Sequence, residues 1–187
     1  RVLRVAERNL VPLRRNWTPG EALEAWSADS IGAEMGRVLW EGRAELQRVE
    51  ANRPHRSILP LPDVLRAAGP GAYVVVLHQA DARRGAEGAE LPFFVSDIGL
   101  TAWRGTDGLA VQARSPQDAT ATPGMRLMLM ARNNVILAEA RTGADGLARF
   151  PAALLRGTGP LAPVAVQAET TDDHAALSLE SASIDQS

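Results

Sequence analysis

From Leu100 to Leu179 the chain is cut into short apolar stretches by clusters of turn residues, and this cadence constrains the fold more than anything else in the sequence. Gly105-Thr106-Asp107-Gly108, Arg132-Asn133-Asn134, Thr142 to Gly146 and Thr170 to His174 each separate two short apolar-rich stretches. Gly, Asn and Asp tolerate the positive φ that tight hairpins need. Between the turns, Leu109, Val111 and Ala113 alternate with Ala110, Gln112 and Arg114, the period of a half-buried strand. Strands recurring every ~8–12 residues with turn signals between them predict an all-β sandwich.

The N-terminal half is less regular. Val2, Leu3 and Val5 suggest a short strand. Asn9-Leu10-Val11-Pro12 and Asn16 to Gly20 are rich in residues that interrupt helices, so no continuous helix is expected there. Glu21 to Trp26 fits a helical turn or a strand. Arg37 to Val49 reads as strand, turn or bulge at Gly42, strand, with Val38 and Trp40 on one face. Ile58 to Asp63 is expected to be extended, with Asp63 capping a helical turn after it. Tyr73 to Leu77 is apolar on both faces and predicts a central strand.

The two halves are joined by Leu91 to Trp103, which follows the Gly/Ala-rich run Arg83 to Glu90. This stretch reads as the last strand of one domain passing directly into the first strand of the next. The expectation is two tandem immunoglobulin- or fibronectin-like β-sandwiches, 1–92 and 93–187, parting near Pro92 and held at a defined angle by the short join.

Composition then limits the chemistry. The chain has 187 residues, 45% of them hydrophobic, enough for real cores. A net charge of −2 gives no electrostatic reason to expect nucleic acid or an anionic membrane as partner. With no Cys there are no disulfides and no thiolate metal sites. No apolar run is long enough to span a bilayer, and no signal peptide is visible. The chain opens on Arg1 rather than Met, as expected of a piece cut from a longer protein.

Chemically suggestive residues are few. Asp172-Asp173-His174 sets two carboxylates beside an imidazole, half a metal site or an acid–base pair; the plainer reading is a polar hairpin tip. His55 and His78 are the other histidines, without helical pairing to a ligand. Ser96-Asp97 lacks the Gly-x-Ser-x-Gly elbow of a hydrolase nucleophile. No catalytic, cofactor or metal residue is assigned, and no enzymatic activity is expected. Met128 and Met130 alternate with Leu127 and Leu129, which predicts a strand with a second apolar face, covered by a neighbouring domain or open to a partner. Trp17, Trp26 and Trp40 would serve glycan binding if exposed together; Trp40 reads as core.

Particular runs resemble the bacterial alpha-2-macroglobulins. These are Phe94-Val95-Ser96-Asp97-Ile98-Gly99-Leu100, Asp107-Gly108-Leu109 and Ala113-Arg114-Ser115. They include Leu129 to Asn134, Leu137, Thr142, Asp145-Gly146, Ala148-Arg149-Phe150, Leu154 to Gly157 and Asp173 to Leu177. Leu39 to Gly42, Pro60-Leu61-Pro62 and Pro70 to Tyr73 are similar to the preceding domain of that family. The resemblance implies two macroglobulin domains, fibronectin-like sandwiches, from a large periplasmic endopeptidase inhibitor of Gram-negative bacteria. Such a molecule collapses around a protease that cuts its bait region, and many members then bind it through a Cys–Gln thioester. This segment has no Cys and cannot contain the thioester. Its implied role is scaffold; its implied partners are neighbouring macroglobulin domains and, through the parent, target proteases. Neither nucleic acid nor direct membrane contact is implied, and lipid anchoring of the parent to the inner membrane is left open. The alternatives are a cell-envelope adhesion or glycan-binding sandwich, and a hydrolase with Ser96, Asp173 and His174 converging in one pocket.

Overall fold

The computed structural model describes residues 1–15, 31–43, 61–78 and 89–180. Over these residues the fold is all-β, with three antiparallel sheets and little helix.

The second module has seven strands: β5 (Gly99–Gly105), β6 (Gly108–Arg114), β7 (Arg126–Ala131), β8 (Ile136–Arg141), β9 (Leu147–Pro151), β10 (Pro163–Glu169) and β11 (His174–Ser178). They form a three-stranded sheet, β5-β6-β9, and a four-stranded sheet, β11-β10-β7-β8. Alternation sends Leu109, Val111 and Ala113 inward from one sheet and Leu127, Leu129, Val166 and Ala168 inward from the other. Together with Phe150 and Leu155 they make one continuous core, as in immunoglobulin-like sandwiches. The hairpins expected at 105–108, 132–134 and 170–174 are present, whereas the turn over 142–146 carries the chain from β8 in one sheet to β9 in the other. The β5–β6 turn pairs Gly105 with Gly108, whose φ is 136°. A Cβ there would stand 2.1 Å from the Phe150 carbonyl oxygen, so only glycine fits. The β7–β8 turn places Asn134 at φ 69°, a conformation Asn tolerates.

The first module is built on one four-stranded sheet, in the order β2-β1-β3-β4. Its strands are β1 (Val2–Val5), β2 (Gly36–Trp40), β3 (Gly71–Leu77) and β4 (Ala89–Val95). As predicted, β3 is central; Tyr73 to Val76 are buried on both faces, while Leu77 at its end is exposed. Leu3, Val5, Ala72, Val74 and Val76 share one face, against Leu10 and Met35. Val2, Tyr73 and Val75 share the other, against Leu65 and Phe93, whose ring stacks on Tyr73 at 5.6 Å. Among the described residues no second sheet lies opposite; short helical segments cover the sheet instead.

Several local expectations change. Leu10–Arg15 is a short helix, α1. Pro12 falls in its first turn, where a missing N–H costs no helical bond. The helix α2 (Pro62–Ala68) starts on Pro62, with Leu61 as its cap residue and no side-chain cap. Asp63 is therefore inside the first turn and pairs with Arg66 instead. The β1–β2 register shifts between Val2 and Leu3, so Val38 pairs with Leu3 and Trp40 with Val2. That irregularity breaks the alternation: Leu39 and Trp40 both pack on the Val2–Tyr73 face, and Val38 is left exposed. Glu21 to Trp26, Gly42's expected continuation over 44–49, and 58–60 lie outside the described residues. The chain changes sheets over Ser96–Ile98, between the end of β4 and the start of β5; Pro92 lies inside β4.

Candidate functional site

The most elaborate polar and apolar arrangement in the molecule is the joint between the two modules. Its centre is α1. Leu10 turns onto the first module's sheet, while the next residue, Val11, packs against Met128, Met130, Val164 and Ala165 of the second. Successive residues on a helix point about 100° apart, so one short helix can wedge into both modules. Leu127 and Leu129 face the sandwich core, and the two methionines face the wedge. The apolar second face expected of this strand is thus covered from within the chain. Flexible thioethers suit such an irregular seam.

The edge strand β11 forms the other half of the joint. Ala175 points into the sandwich core, whereas Ala176 packs on the Leu3–Val76 face of the first module. His174 shares the outward face with Ala176 and is 5% exposed. Its Nδ1 lies 3.3 Å from a Glu7 carboxylate oxygen, and its Nε2 is buried without a hydrogen-bond partner. Burial pushes the imidazole pKa down, against the opposing pull of Glu7. Asn134 adds a third tie: its Nδ2 donates to the Arg8 carbonyl at 2.7 Å.

The crossing segment is pinned separately. Ser96 Oγ donates to Asp173 Oδ2 at 3.1 Å, the Asp97 N–H donates to the same oxygen at 2.8 Å, and Ser96 Oγ accepts the Ile98 N–H at 3.0 Å. Gln117 Nε2 donates to Asp97 Oδ1 at 3.0 Å. The direct join therefore lies clamped to the β10–β11 turn rather than swinging free.

These contacts decide among the chemical readings. A Ser–His–Asp relay needs the hydroxyl on the imidazole and the imidazole on the carboxylate. Here Ser96 bonds directly to Asp173, and the His174 Nδ1 lies 3.3 Å from Glu7 instead. Asp172 and Asp173 do occupy a polar hairpin tip, capped by Thr170, whose Oγ1 accepts both their N–H groups. His174, one residue further, is a buried joint residue, which the tip reading missed. His78 is exposed at the end of β3, and His55 lies outside the described residues. Among the described residues no group of His, Cys, Asp or Glu side chains could hold a metal ion. Trp40 is packed on the first module's sheet, not displayed for stacking; Trp17 and Trp26 lie outside the described residues.

Among the described residues the chain is a tandem β-structure with a built joint and no reactive constellation, and its second module matches a known family. The domain model for the bacterial alpha-2-macroglobulin MG3 domain fits residues 95–187. The chain belongs to the bacterial alpha-2-macroglobulins. The alpha-2-macroglobulin of Escherichia coli (strain K12) is 27% identical over 143 residues, 76% of this chain but 8% of that protein, so the chain spans a small part of its relative's length. Among solved structures, native E. coli alpha-2-macroglobulin spanning domains NIE-MG1 superposes with a TM-score of 0.77 at 21% identity, covering 96% of this chain and 81% of that one. Trypsin-activated E. coli alpha-2-macroglobulin gives 0.69 at 22% identity, over 96% of this chain and 12% of that one. At these identities the structural likeness establishes the fold. In this macroglobulin segment the side chains serve sheet packing and the joint, which is a scaffold role.

Proposed function

We propose that this chain is a scaffold pair within a periplasmic bacterial alpha-2-macroglobulin, a broad-spectrum endopeptidase inhibitor that traps proteases after bait cleavage. The observation that carries this reading is the MG3 match over residues 95–187. Two further features support it. The E. coli structure spanning domains NIE-MG1 aligns with almost the entire chain. Large apolar side chains also stand exposed on both modules, including Leu77, Leu91, Phe94, Trp103 and Leu161. Apolar exposure of this kind suits domains that are covered by neighbours in a longer chain.

In this role the pair does no chemistry. It keeps adjoining domains at a set angle and passes on their rearrangement when the bait is cut. The test uses the full-length parent protein mixed with endopeptidases of several classes. A trapped protease is expected to lose activity on a large protein substrate while still cleaving a small chromogenic peptide. Unaltered cleavage of both substrates by every protease would overturn the reading. Release of the parent by osmotic shock tests the periplasmic placement; retention with the cytoplasmic fraction would contradict it.

A further inference from the structure

We propose that the joint between the two modules is an acid-sensitive latch whose titrating element is His174. The geometry carries this. The imidazole sits between modules, with Ala176 beside it packed on the first module's sheet. One ring nitrogen has a partner from the other module, Glu7, on the turn that leads into α1. The other, Nε2, is buried with nothing to bond to. With the neutral ring's proton on Nδ1, that N–H faces the Glu7 carboxylate 3.3 Å away and Nε2 carries a lone pair. Adding a proton puts a charged N–H donor in a buried position where the protein offers it no acceptor. Separating the modules would hydrate that group.

The charges around the ring are mixed. Glu7 from the first module, Asp173 next in the chain and Glu169, paired with His174 across the β10–β11 ladder, favour the protonated form. Arg4, from β1, and above all burial disfavour it, and the net displacement is downward. The sign follows from linkage. A histidine held below its ordinary value in the closed joint contributes its full stabilisation above about pH 6.5, and loses it as the pH falls from there towards the lowered value. One proton changes the closed-to-open ratio by at most about tenfold per pH unit.

The chain has no cysteine, so two introduced ones can be labelled without side reaction. Arg66→Cys on α2 and Arg149→Cys on β9 are exposed and lie in different modules. Spin labels there report the inter-module distance in the intact 187-residue chain. A single narrow distribution is expected at about pH 8, broadening at about pH 5.5, above the range where ordinary carboxylates titrate. His174→Gln, which keeps a donor for Glu7 but cannot charge, should stay narrow at both. Glu7→Gln removes the largest charge favouring protonation and should broaden at a higher pH than the unmodified joint; this arm stands even if His174→Gln fails to fold. An unchanged distribution between the two pH values, or a His174→Gln chain that broadens like its parent, would overturn the latch.

Discussion

The two modules solve the same burial problem differently. The second closes two sheets on each other, and every residue of its main core comes from its own sequence, Ile98 to Ala175. The first has one sheet among the described residues, and one face of that sheet packs on α1 and on Ala176 of its neighbour. A sheet without an opposing sheet must find other cover for its apolar face. The difference teaches a direction of dependence: the first module leans on the second, and the second stands without the first.

That asymmetry can be broken or sharpened by substitution. Phe150→Ala empties the centre of the self-sufficient core and should cost about 3–5 kcal/mol in denaturant unfolding. Because the first module leans on this one, tryptophan fluorescence and far-ultraviolet circular dichroism should report one shared loss. Met130→Ala acts at the seam rather than in the core. A cost of about 2 kcal/mol or more is expected, with amide exchange rising in β1 and β3 while β6 remains protected. Gly108→Ala forces a side chain against the Phe150 carbonyl at φ 136°; about 1–3 kcal/mol should be lost, again as one loss shared by both modules. Smallest is Ser96→Ala, which removes the hydroxyl that ties the crossing segment to Asp173. Its cost of about 1 kcal/mol should appear as faster exchange at Ile98, with both cores intact.

Legibility in the sequence follows the same divide. In the second module local signals and global packing agree. Asn134 and Gly108 mark their turns, and the Leu127/Leu129 against Met128/Met130 alternation separates core from seam. In the first module tertiary contacts override local pattern. A register shift puts Trp40 and Val38 on different faces despite their spacing, and α1 forms around Pro12 because Leu10 and Val11 have sheets to bury against. The joint was the least readable part. Nothing near His174 in the sequence points to Glu7, since the pairing exists only once the modules have docked. The alternation of the methionines was the one available signal, and it identified the face without identifying what covers it.

Native-state hydrogen exchange on the intact chain carrying Met130→Asp tests the dependence most directly, because the change lies in the second module and the effect is expected in the first. Protection should collapse in β1 and β3 while the amides of β6 and β9 keep theirs. Equal loss in both modules, or no loss in β1 and β3, would contradict the account.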